Sequence, residues 1–99
     1  MRYINLVYED DYEDADILLV PDEIADNIDT VMREFFRWIK LSENNFRFKV
    51  KIGEGKEVLS IDTEGFLWWL NNVKLQGEAK ATIEKQHTMM WKGYPIAEF

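Results

Sequence analysis

Ile17-Leu18-Leu19-Val20-Pro21-Asp22-Glu23-Ile24 decides the fold class, because two kinds of structure meet inside it. The first four residues form a continuous apolar run of buried-strand length. Pro21 stops that run and, with Asp22, opens a helix: proline is tolerated in a first helical turn, and aspartate caps free N–H groups. Ile24, Ile28, Val31, Phe35, Trp38 and Ile39 then recur at helical spacing, which carries the helix to about Leu41. Asp22, Glu23, Asp26 and Asp29 fill its first half, and Arg33, Arg37 and Lys40 its second. The helix macrodipole favours that order by ~0.3–1 kcal/mol per well-placed end charge.

Upstream, Tyr3-Ile4-Asn5-Leu6-Val7-Tyr8 is apolar and rich in strand formers, and residues 9–14 that follow it read as a solvated acidic loop. Downstream, Phe46, Phe48, Val50 and Ile52 alternate with Arg47, Lys49 and Lys51, the pattern of a strand with one buried face. Gly53-Glu54-Gly55 supplies turn chemistry, so Lys56-Glu57-Val58-Leu59-Ser60-Ile61 returns as the second arm of a hairpin. Asp62 caps a second helix over residues 63–76. On it Phe66, Trp69, Leu70 and Val73 share one face, while Trp68 and Leu75 lie on the other. Gly77 breaks the chain, residues 78–86 suggest a short third helix, and the apolar tail from Met89 to Phe99 is expected to dock. The expectation is α+β: one domain over residues 1–99, a small mainly antiparallel sheet that includes the hairpin, and two main helices (22–41 and 63–76) packed on one face.

Composition narrows the function classes. The chain has 99 residues, no cysteine, and a hydrophobic fraction of 46%, enough apolar area to fold and none of the thiolate chemistry. No signal-peptide pattern opens the sequence and no run approaches a membrane span, so a cytoplasmic location is expected, with no membrane partner. The net charge of −7 is unevenly spread. Residues 1–30 carry ten acids against Arg2 alone, whereas residues 31–99 are net +2. Such a field repels nucleic acid and attracts basic partners.

Catalytic constellations are thin. Ser42 and Ser60 are the only serines and His87 the only histidine, without a nucleophile-elbow motif, so His87 reads as a structural residue and the chain as no enzyme. The run Glu9-Asp10-Asp11-Tyr12-Glu13-Asp14-Ala15-Asp16 lacks the central glycine and distal glutamate of a calcium loop, so no metal or other cofactor is expected. Carboxylates are many, but nothing singles out a pair in contrasting environments. The stripe Arg47, Lys49 and Lys51 reads as a solvated sheet face in a protein of pI about 4.6, not as a nucleic-acid surface. Two features remain. An array of carboxylates complements a basic groove or serves solubility, and Trp68, with Leu75 and Trp91 as company, is either an interface residue or covered by the C-terminal segment.

Asp16-Ile17-Leu18-Leu19-Val20-Pro21-Asp22-Glu23-Ile24-Ala25-Asp26-Asn27, followed by Phe35 and Trp38, resembles the small immunity proteins that bacteria pair with their own toxins. So does Asp62-Thr63-Glu64-Gly65-Phe66-Leu67-Trp68-Trp69-Leu70-Asn71. The resemblance is one of size, acidity and texture over a third of the chain, and no individual residue's role comes with it. It implies a stoichiometric inhibitor whose acidic surface occludes a toxin's basic site. The expected function is therefore non-catalytic binding of a basic protein, toxin or nuclease, by a monomer or homodimer. The candidate partner-binding residues are Glu9, Asp10, Asp11, Glu13, Asp14, Asp16, Asp22, Glu23, Asp26, Asp29 and Trp68. The alternatives are a phage- or mobile-element-encoded nucleic-acid mimic and an accessory subunit docking through Trp68.

Overall fold

A computed structural model of the chain describes residues 1–8, 11–41, 49–59, 61–77 and 80–99, without the side chains of 49–52 and 57–59. Glu9, Asp10, Phe46, Arg47, Phe48, Ser42 and Ser60 lie outside the described residues, as do the side chains of Lys49, Val50, Lys51 and Ile52. The elements run β1 (Arg2–Tyr8), β2 (Asp11–Val20), α1 (Asp22–Asp26), α2 (Ile28–Ile39), β3 (Lys49–Gly53), β4 (Lys56–Leu59), α3 (Thr63–Trp69), β5 (Thr82–Thr88) and β6 (Ile96–Glu98). The architecture is α+β, with a mostly antiparallel four-stranded sheet in the order β5-β2-β1-β6.

Both strands at the centre of that sheet were legible as apolar runs, and the register explains why those runs do not alternate. Ile4 pairs with Leu18 and Asn5 with Ile17, so successive pairs face opposite sides. Ile4, Leu6, Leu18 and Val20 join Ile24, Ile28, Val31, Phe35 and Ile39 of the first two helices and Phe66, Trp69 and Leu70 of the third in one core. Asn5, Val7, Ala15 and Ile17 are also fully buried, but outside that core. What covers the second side is the C-terminal segment. The chain leaves β5 at one edge, and Asn5 holds it in passing: its Nδ2 donates to the Trp91 carbonyl (2.9 Å), and its Oδ1 accepts from the Trp91 N–H (2.7 Å). Tyr3 meets the rings of Trp91 and Tyr94 edge-on at 5.3 and 5.7 Å. The segment then enters β6, parallel to β1 at the opposite edge. A sheet covered on both faces needs apolar residues on both, hence the continuous runs.

Asn5→Ala removes an acceptor and a donor from part-buried backbone groups of Trp91. We expect it to cost about 2 kcal/mol in urea unfolding. A loss below about 0.5 kcal/mol would mean that the crossing segment is held by its rings alone.

Four expectations need correction. Asp11 pairs with Tyr8, so the acidic stretch from residue 11 onward is strand rather than loop; cross-strand pairing overrides the poor strand propensity of aspartate. Residues 82–86, expected in a third helix over 78–86, belong instead to β5: Thr82, Ile83 and Thr88 are β-branched, and β2 offers them a partner. The 22–41 helix is broken at Asn27, whose side chain bonds the Glu23 carbonyl (2.9 Å) while its backbone leaves helical geometry. The β3–β4 hairpin makes a two-stranded sheet of its own instead of joining the main one.

The second helix begins as expected, with Asp62 Oδ1 accepting from the Gly65 N–H at 2.7 Å. It buries Phe66, Trp69 and Leu70, then loosens into a π-helical turn over Leu70–Lys74 before Gly77 turns away. Among the described residues, no helix is long and apolar enough to cross a membrane.

Candidate functional site

Strand β2 spans ten residues, so its ends lie roughly 25–30 Å apart, and this separates the acids that the sequence places side by side. At the far end, Asp22 binds the N-terminal ammonium (3.0 Å) and Asp26 pairs with Arg2. Glu23 and Asp29 lie beside them on the first two helices. At the near end stand Asp11, Glu13, Asp14 and Asp16. The candidate surface is therefore two surfaces, and the helical one has its own counter-ions.

The near end is where other elements converge. Tyr8 of β1, Asp14 and Asp16 of β2, Asp62, Thr63 and Glu64 at the start of α3, and Gln86 and His87 of β5 line an open cleft of about 450 Å³. Its floor is Asp16, which is only 4% exposed. Such a carboxylate needs donors, and it has two from distant parts of the chain: the Thr63 hydroxyl and the His87 backbone N–H, the latter at 3.0 Å. Because Thr63 gives its single proton to Asp16, the Tyr8 hydroxyl is the donor in its own bond to Thr63. Partial burial pushes the Tyr8 phenol up, helped by the charges of Asp16 and Asp62, against the opposing backbone N–H of Thr63.

The rim is built by irregularity in the edge strand. Ala15 pairs with Thr88 and Ile17 with Lys85, so Gln86 and His87 together stand opposite Asp16. The extra residue is a β-bulge, and His87 absorbs it with a left-handed backbone (φ 53°). Histidine is among the non-glycine residues that tolerate this region. The bulge turns the imidazole toward Asp14, whose Oδ1 lies 2.9 Å from Nδ1. That bond, the Asp14 charge and the Asp16 charge behind it raise the His87 pKa above its ordinary value.

Chemically, the described lining of the cleft is a bowl of four carboxylates with His87 as its sole basic side chain. A histidine beside a carboxylate is the pairing that general-base catalysis uses. Here the two hydroxyls are committed elsewhere, Tyr8 to Thr63 and Thr63 to Asp16, so neither hands its proton to the imidazole. Among the described residues, no group of three or more acidic, histidine or cysteine side chains is placed to hold a metal ion.

Of the residues singled out from sequence, Asp14 and Asp16 enter the cleft, and Asp16 does so as a buried structural group rather than a surface charge. Asp11 and Glu13 lie on the same strand end; Glu9 and Asp10 are outside the described residues. Trp68 is 37% exposed with its ring 6.3 Å from that of Trp38, while Trp91 packs on Tyr3 and Leu75 lines a separate cleft between helices. The three do not form one patch around Trp68. Sequence reasoning missed Tyr8, Asp62, Thr63, Glu64 and His87 as cleft residues. One signal was available: Asp16 shares strand parity with the core residues Leu18 and Val20, which points it inward. No family model matches the chain, and neither does any curated protein or solved structure.

Proposed function

We propose that this chain is a non-catalytic binding protein, a stoichiometric inhibitor of the immunity kind, and that the cleft beside β5 is its working end. The partner is a basic protein, a toxin or a nuclease, that places a lysine or arginine side chain in the bowl. The observation that carries this reading is the convergence of Asp14, Asp62 and Glu64 around one opening, with the buried Asp16 beneath them and His87 the one base among the described lining residues. The acids on the first two helices support it less, since Asp22 and Asp26 already have partners. A cationic side chain entering the bowl exchanges water for several carboxylates at once, and the field of the near end accelerates its approach.

The test uses a hexa-arginine peptide as the probe, titrated into the protein at low and high salt. Affinity is expected to fall at least tenfold between about 20 and 300 mM salt, and Asp62→Asn with Glu64→Gln to weaken binding a further three- to tenfold. Those two side chains line the rim, so their loss leaves the floor intact. Binding indifferent to salt and to both substitutions overturns the reading and favours docking through the exposed Trp68 instead.

A further inference from the structure

We infer that His87 is a displaceable counter-ion of this cleft: a cationic group entering the bowl takes Asp14 from the imidazolium, and His87 gives up a proton to solvent. The inference rests on the cleft being the binding site, and it adds how that site is regulated.

The geometry supports it in three ways. The His87 side chain is 77% exposed and Asp14 54%, so their ion pair lies open at the rim, where an incoming cation reaches it. The backbone of His87 is fixed independently of its ring, because its N–H is bonded to the buried Asp16. Losing the ring contact therefore leaves the bulge in place. Among the described residues lining the cleft, every element presents a negative or neutral group to the imidazole: Asp14 and Asp16 from β2, Asp62 and Glu64 from the start of α3, Tyr8 from β1 and Gln86 beside it on β5. The charged imidazole is thus held by its surroundings, and a second cation competes with it for the same field.

The sign follows from linkage. The surroundings raise the His87 pKa above its ordinary value, so the free protein holds the extra proton to a higher pH than an isolated histidine does. A cation in the bowl opposes that charge, lowers the pKa and releases the proton; reciprocally, raising the pH tightens binding. Between pH 6 and 8.5 the affinity for hexa-arginine is expected to rise about fivefold, the scale of one unit charge at a screened surface.

Calorimetry at pH 7 in phosphate and in Tris, which differ in ionisation enthalpy, counts the protons exchanged. Wild type is expected to release a fraction of a proton per peptide bound, and His87→Asn none, asparagine being tolerated in the left-handed backbone. In the free protein, the His87 ring titration followed by NMR is expected to fall toward its ordinary value of 6.5 in Asp14→Asn. Peptide binding that depends on Asp62 and Glu64 but exchanges no proton overturns the coupling and leaves the binding site standing. A ring titration unmoved by Asp14→Asn also overturns it. Binding independent of the cleft acids overturns both.

Discussion

Phe35→Ala is expected to remove about 4 kcal/mol of folding stability, the largest loss of any substitution considered for this chain. Phe35 is fully buried at the point where three parts of the fold meet. Its ring lies 5.2 Å from both Phe66 and Trp69 of α3 and 6.2 Å from Phe99 beyond β6. Truncation forfeits the transfer free energy of the benzyl group and opens a cavity walled by large rings, which relax poorly into the space. Proteins of this kind have total stabilities of roughly 5–15 kcal/mol, so such a loss leaves the variant marginal or unfolded. Phe35→Leu keeps most of the volume and is expected to cost about 1–2 kcal/mol. Urea unfolding of both variants checks this. A Phe35→Ala loss below about 1.5 kcal/mol would mean that α2 and α3 pack independently on the sheet.

That core was largely legible, because helical spacing is a local property. Ile24, Ile28, Val31, Phe35 and Ile39 are read off one segment and are buried, while Trp38 of the same stripe is only partly buried against the core. The single register error was the break at Asn27, which depends on one side chain choosing the Glu23 carbonyl. Phe66, Trp69 and Leu70 were placed correctly on one face for the same reason.

What the sequence hid are features made by pairing at long range. β5 has a weak pattern of its own and is strand because β2 lies beside it. The acidic half of β2 contradicts strand propensity, and its partners explain it: Asp11 against Tyr8, and the Met90 N–H on the Tyr12 carbonyl at 3.0 Å. The cleft is the extreme case. Asp16 meets Thr63 across 47 positions and His87 across 71, separations at which no spacing rule relates the residues. Asn5 could have been suspected, since one amide inside an apolar run must find polar partners if that run is buried. Its partners, Trp91 and Tyr94, could not.

Asp16→Ala is expected to cost about 3–4 kcal/mol, and its cause can be separated from ordinary packing. The carboxylate accepts the Thr63 hydroxyl and the His87 N–H, so it ties α3 and β5 to β2. Removing it relieves the desolvation of a buried charge, which opposes the loss. It also takes the acceptor from two donors, the buried Thr63 hydroxyl and the part-buried His87 N–H, at about 1–3 kcal/mol for each that stays unpaired, and alanine leaves the volume unfilled. The second effect is the larger, because the Thr63 hydroxyl is buried and the His87 N–H is held in place by the strand backbone. Asp16→Asn tests this balance. Its carbonyl still takes the His87 N–H, while its amide donates to Thr63, which turns its own proton toward Tyr8. Only the Tyr8 hydroxyl must then find a new acceptor, so the loss should be about 1 kcal/mol. A double-mutant cycle of Asp16→Ala with Thr63→Val is expected to show a coupling of about 1–2 kcal/mol, since each single substitution breaks the same Asp16–Thr63 hydrogen bond. Equal losses for Asp16→Ala and Asp16→Asn would place the cost in the charge rather than in the donors. A coupling near zero would detach Thr63 from Asp16, and the floor of the cleft would then owe its rigidity to the β5 bulge alone.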